Sequence, residues 1–141
     1  MFSKVASQLR NRAAWLLAGD YDRIVAQYQF PLPVHLGSSR VIVRSAAEAR
    51  SMLQLQRLGF MERGVVALIP TVSAMDLPRD GRFRVWVEWH ELTLPEQGPV
   101  QSSALYYCRQ TPAGFRIEMV DYTRLSMPEL QPHFAALALS A

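Results

Sequence analysis

Two carboxylates carry the strongest chemical signal in this 141-residue chain. Between Arg82 and Leu94 the residues alternate as in a strand. Phe83, Val85, Val87, Trp89 and Glu91 share one face, and Arg84, Trp86, Glu88, His90 and Leu92 share the other. The first row is apolar until it reaches Glu91. Phe115, Ile117, Met119 and Asp121 repeat the pattern, apolar and then acidic. A carboxylate at the end of an apolar row can lose solvent, which raises its pKa toward the range of a general acid or base. The same positions also suit solvated strand ends, where charge is common and idle.

Other residues could join such a site. His35 follows a Pro-Leu-Pro segment and could serve as base or hydrogen-bond donor at a pocket mouth, although a lone His is often only structural. Trp15, Tyr28, Trp89, Tyr107 and Met119 could line a pocket for a flat apolar ligand, or could simply be core. Tyr106 and Tyr107 are neighbours and so face opposite ways; the register across Pro112-Ala113-Gly114 decides which points inward. Three His and one Cys, widely spaced, make no metal motif. The chain contains no Gly-x-Ser-x-Gly elbow and no Gly-rich phosphate loop, and no cofactor is implied.

The elements that would position these residues are legible in order. The pattern predicts a helix from Lys4 to about Leu17, capped by Ser3 and ended by Gly19, with Val5, Leu9, Ala13, Leu16 and Leu17 on one side. Asp20 then caps a short helix, Tyr21–Tyr28. Pro31 and Pro33 restrict residues 30–36 to an edge or irregular strand, and a second short strand spans Arg40–Arg44. Ser45-Ala46-Ala47-Glu48 is a capping box opening a third helix, which Gly59 should stop. After Gly64 the period changes to two. Strands Val65–Leu77, Arg82–Leu94, Val100–Thr111 and Phe115–Leu125 are joined by short turns as an antiparallel meander, and a short helix is expected over Pro132–Leu139.

Composition bounds the rest. Half the residues are hydrophobic and 19% are charged, the balance of an ordinary globular domain. Residues 1–141 form a single domain, with a core over about 3–126 and a tail over 127–141. The single Cys108 can form no internal disulfide and points to no oxidising compartment. No apolar run approaches the roughly 20 residues of a membrane-spanning helix. Lys4, Arg10 and Arg12, with no acid before Asp20, give the start of the chain a faint transit-peptide look. A structural first helix in a cytoplasmic protein is the expectation. The net charge of +3 is too mild and too diffuse for a nucleic-acid surface.

The order of elements resembles the nuclear transport factor 2-like superfamily, which includes ketosteroid isomerases, scytalone dehydratase and polyketide cyclases. The resemblance is carried by Ala18-Gly19-Asp20-Tyr21-Asp22 at the close of the first helix and Gly114-Phe115-Arg116-Ile117-Glu118 at the start of the last strand. It covers residues 3–126. It implies an α+β cone, with three helices on a strongly curved, mostly antiparallel sheet of about six strands. It also implies a pocket at the wide end and dimerisation through the convex sheet face. On that face the residues read outward are Arg84, Trp86, Glu88, His90 and Tyr122, with Arg116 and Glu118 beside them, and large aromatics among charges suit an interface. Three functions follow as expectations: a homodimer binding a small apolar or aromatic ligand; an isomerase, dehydratase or cyclase with Glu91 or Asp121 as base; or a non-catalytic interaction module. The sequence does not decide whether the protein is an enzyme.

Overall fold

The computed structural model describes residues 2–98, 100–128, 132–133 and 136. Most of the expected C-terminal helix over 132–139 lies outside the described residues. The helices are α1 (Phe2–Ala18), α2 (Tyr21–Val25) and α3 (Ala46–Glu62). The strands are β1 (Leu32–Leu36), β2 (Ser39–Val43), β3 (Val65–Met75), β4 (Arg82–Thr93), β5 (Val100–Thr111) and β6 (Gly114–Arg124). They form one sheet in the order β2-β1-β6-β5-β4-β3. Every neighbouring pair is antiparallel except β1 with β6. The protein is an α+β fold, three helices on a six-stranded, mostly antiparallel sheet.

α1 buries Val5, Leu9, Arg12, Ala13 and Leu16, a stripe recurring every three or four residues. It starts at Phe2, so Ser3 lies inside its first turn instead of capping it. α2 is a single turn. Asp20 makes no side-chain cap there and pairs with Arg23 at 3.2 Å. The expected extension to Tyr28 fails because residues 27–29 leave the helix to pair with the last strand. The Gln29 N–H donates to the Ile117 carbonyl at 2.9 Å, and the Ile117 N–H donates to the Gln27 carbonyl at 2.7 Å.

The Pro-rich strand β1 is not an edge. β2 flanks it on one side and β6 on the other. Pro33 is tolerated because β6 pairs only with Val34, His35 and Leu36, beyond the missing donor. The true edges are β2 and β3, and β3 carries Pro70.

α3 begins as the capping box predicts, with one change. The Glu48 N–H donates to Ser45 Oγ at 3.3 Å, while the Glu48 carboxylate accepts from the Arg44 N–H at 2.8 Å, one residue earlier than a standard box. Gly59 does not stop the helix. Phe60, buried to 4% exposure, holds the next turn against the core, and the chain turns only at Gly64. There φ is +73°, and a Cβ would lie 2.5 Å from the Leu94 carbonyl oxygen, so only glycine fits.

Four extra residues bend the sheet. The β3–β4 register skips Val66 and Ser73, and the β5–β6 register skips Glu118 and Thr123. Ser73 Oγ donates to the Trp86 carbonyl and Thr123 Oγ1 to the Ser103 carbonyl, each at 3.3 Å, so two of the bulges tie themselves to the facing strand. The β4 row is buried as read: Phe83, Val85, Val87, Trp89 and Glu91 are all below 9% exposed. At the foot of β6, Gln8 of α1 acts as a surrogate strand. Its amide donates to the Phe115 carbonyl at 2.7 Å and accepts from the Phe115 N–H at 3.0 Å. The core runs on past the expected boundary to Met127, 5% exposed.

Ser45→Ala removes the side-chain acceptor at the start of α3 and should cost about 0.5–2 kcal/mol. Urea denaturation measures it, and an unchanged midpoint would show that the Glu48 carboxylate alone holds that helix start.

Candidate functional site

Two polar side chains interrupt the apolar stripes of the helices. Arg12 stands three residues after Leu9 and four before Leu16, on the buried face of α1. Gln56 stands between Leu53 and Phe60 on the inner face of α3. Helical geometry therefore aims both at the inner face of the sheet.

Arg12 is 7% exposed, and no carboxylate pairs with it among the described residues. It is surrounded by phenols. Its Nη2 donates a short hydrogen bond to the Tyr28 hydroxyl. Its guanidinium carbon lies 5.1 Å from the Tyr28 ring centre and 5.8 Å from that of Tyr106, within cation–π range. Tyr106, 1% exposed, accepts from Trp89 Nε1 at 2.8 Å. Tyr122 reaches both Arg12 and Gln56. Arg12 Nη1 is buried with no hydrogen-bond partner among the described residues. Burial pushes the Tyr106 phenol above its ordinary range, with Tyr122 adding to the shift and the Arg12 charge opposing it. Burial raises Tyr122 in the same way, against the same cation.

These residues wall a cleft of two lobes. The larger, about 60 Å³, is apolar and lies among β1, β2, α3 and β6, with Leu32, Val34, Val43, Leu53 and Val120 in its walls and Tyr28 at one side. The smaller, about 30 Å³, is bounded by Arg12, Trp89, Ser102 and Tyr106. Gln56 and Tyr122 border both lobes. Met52, Gln56 and Leu125 are half-buried along the rim. Among the described residues, no carboxylate and no histidine lines either lobe.

Of the residues expected to line a pocket, Tyr28 and Trp89 border this cleft and the other six do not. Glu91 is buried, but it faces Arg63 just beyond α3, with Oε1 2.8 Å from Arg63 Nη2. The contact lacks hydrogen-bond alignment, so both Glu91 oxygens remain without an aligned donor. Trp15 lies on another side of α1, in a surface groove, with Arg23 5.9 Å from its ring centre. Tyr107 is outward because β5 turns Tyr106 in.

The bulge at Glu118 corrects the β6 row. It reverses the alternation, so Val120 and Tyr122 point in while Met119 and Asp121 point out. Tyr122, expected on the outer face, is therefore a cleft residue. His35 pairs in register with Asp121, and both stand on the outer face, opposite the inward Val34 and Leu36. Sequence reasoning missed Arg12, Gln56 and Tyr122. For the first two the signal was present, as polar residues at apolar positions of a helical repeat.

No family model matches the chain, and no curated protein matches it. Solved structures do. An NTF2-like protein with a cystatin-like fold from Novosphingobium aromaticivorans superposes with a TM-score of 0.68 at 12% identity, over 87% of this chain and 80% of that one. An NTF-2-like protein of unknown function from Shewanella oneidensis gives 0.64 at 11% identity, over 86% and 97%. A domain of unknown function with a cystatin-like fold from Nostoc punctiforme gives 0.66 at 16%, over 93% and 81%.

The raised phenols make an alkaline prediction. An unfolded tyrosine ionises near pH 10, whereas Tyr106 and Tyr122 in the fold hold their protons to higher pH. The native state then binds more protons than the unfolded one, so stability falls as pH rises above about 10. In a spectrophotometric titration two of the five tyrosines should ionise only as the fold is lost. Five equivalent, reversible ionisations near pH 10 would contradict this.

Proposed function

Taking the nuclear transport factor 2-like, cystatin-like fold as the premise, we propose that this domain binds a small ligand with a short apolar body in the cleft between α3 and the sheet. One observation carries the reading: an apolar lobe stays open between α3 and the sheet, beside a buried polar cluster that has an unused donor. Size narrows the ligand. A cavity of about 150 Å³ accommodates benzene, and the two lobes are smaller, so the ligand has few non-hydrogen atoms and a fused ring system is excluded. Binding is favoured over isomerase, dehydratase or cyclase chemistry, because proton transfer needs a base and the described residues of the lining include neither carboxylate nor imidazole. Glu91 is occupied by Arg63, and Asp121 is on the outer face.

Neutral four-carbon probes test this. n-Butanol should shift the methyl resonances of Val34, Val43, Leu53 and Val120 and change the fluorescence of Trp89, with Trp89→Phe keeping the methyl shifts. If saturating butanol moves none of those methyls, the cleft is not a binding site.

The domain also works as a homodimer, joined by the outer face of the sheet. Apolar surface supports this contact more than charge does. Asp76 is committed to Arg84, and Glu118 to Arg82 and Arg109, within one chain. Arg84 also lies over Trp86, 4.9 Å from its ring centre. What remains for a partner is the neighbouring patch of Ile69 and Leu92, 45% and 49% exposed, with His90 in register beside Ile69. Tyr122 takes no part, being on the inner face. A two-fold contact would bury about 1,200–2,000 Å². Sedimentation should find a dimer at tens of micromolar and a monomer for Leu92→Glu, which places an unpaired charge in the contact twice. A monomeric wild type, or a dimeric Leu92→Glu protein, would refute the assignment.

A further inference from the structure

An arginine in a protein interior is always charged, and its charge is normally answered by a carboxylate. Arg12 has no such answer. The groups facing it are the Tyr28, Tyr106 and Tyr122 phenols, and Tyr106 and Tyr122 are held neutral by burial. The Tyr28 and Tyr122 hydroxyls and two ring faces compensate the cation only in part, and Nη1 has no hydrogen-bond partner among the described residues.

The hydroxyls around it are in the same condition. Tyr28 accepts from Arg12 and Tyr106 accepts from Trp89, so each oxygen has received a proton and still holds its own to give. Neither hydroxyl donates a hydrogen bond among the described residues. The small lobe therefore gathers donors: a guanidinium N–H, two phenol O–H groups nearby and the amide of Gln56 at the border with the apolar lobe. A site with fixed donors, a fixed positive charge and no carboxylate complements an anion, and low-dielectric walls strengthen that attraction. The planar fork of a guanidinium matches a planar, two-oxygen group better than a single-point charge would.

We propose that the ligand is a short-chain monocarboxylate, with its carboxylate in the small lobe against Arg12 Nη1 and its hydrocarbon tail in the apolar lobe. This rests on the binding role of the cleft and specifies which chemical class occupies it. Gln56 and Tyr122 line both lobes, so a ligand with its head in one and its tail in the other would pass where these two side chains meet. The walls allow only a small molecule, which excludes long-chain fatty acids.

The test compares three probes of one size by calorimetry: butyrate, butyramide and n-butanol. Butyrate should bind at least tenfold more tightly than either neutral probe at pH 7. That advantage should vanish as pH falls through the carboxylic acid range, about 4–5, while the neutral probes stay constant. Arg12→Met should lower butyrate affinity at least tenfold, to that of butyramide, and leave n-butanol unchanged. If the Met variant does not fold, the comparison of acid with amide on the wild type and its pH profile still decide. Equal binding of all three probes would overturn the carboxylate assignment and leave the cleft as a binding site. Binding by none of them would overturn both. Butyrate binding that Arg12→Met leaves intact would overturn the role of Arg12 and with it the proposal.

Discussion

The extra residue at Glu118 is the constraint on which the interior depends. Before it, β6 sends Phe115 and Ile117 inward; after it, Val120 and Tyr122. A regular strand would instead place Met119 and Asp121 against the helices, putting a carboxylate where the apolar lobe now lies. The bulge also increases local twist just before the segment of β6 that pairs in parallel with Val34, His35 and Leu36 of β1. Glu118 itself is held by two arginines, Arg82 of β4 at 3.1 Å and Arg109 of β5 at 3.5 Å. The ion pairs are exposed and individually weak. Together they mark the irregular point of the strand on the surface, where it costs no packing.

What the bulge makes possible is an interior that is apolar in bulk and polar at one spot. Arg12, Tyr28, Tyr106, Tyr122 and Trp89 come from α1, the bridge after α2, β5, β6 and β4. No two of the five lie in the same regular element. Such a cluster is expensive to bury and narrow in the geometries that satisfy it. It fixes how α1 sits over the sheet more tightly than the interchangeable contacts of Val5 and Leu9 can.

The sequence carried the element order well because each boundary has a local cause. Ser45 and Glu48 announce α3, the change to period two announces β3, and Asp80-Gly81 and Pro112-Ala113-Gly114 announce the hairpins. The alternation in β4 located its buried row correctly because β4 is continuous. The β6 row failed past Glu118, since a bulge leaves no mark in residue type and counting by twos cannot survive it. Gly59 misled because a glycine inside a helix resembles a stop until the burial of Phe60 is known. Arg12 was read for its charge when its spacing held the information. At the level of the site, Tyr28 and Trp89 were legible as inward aromatics. The polar partners that distinguish the cleft from ordinary core were not, because they depend on contacts among five distant segments.

The strand order has a consequence for how the polypeptide is made. β6 is the last strand among the described residues yet lies in the middle of the sheet, between β1 and β5. As the ribosome releases the chain, two half-sheets can form, β2-β1 and β3-β4-β5, with nothing to join them. Gln8 waits for Phe115, 107 residues further on, before its amide has a backbone to pair with. Until then the stripe of α1 has no complete wall to pack against, and Arg12 keeps a charge in the middle of it. The cation that ends inside the fold thus spends translation as a break in an otherwise sticky surface. The β6 strand completes the sheet and with it the wall against which the first helix buries that charge.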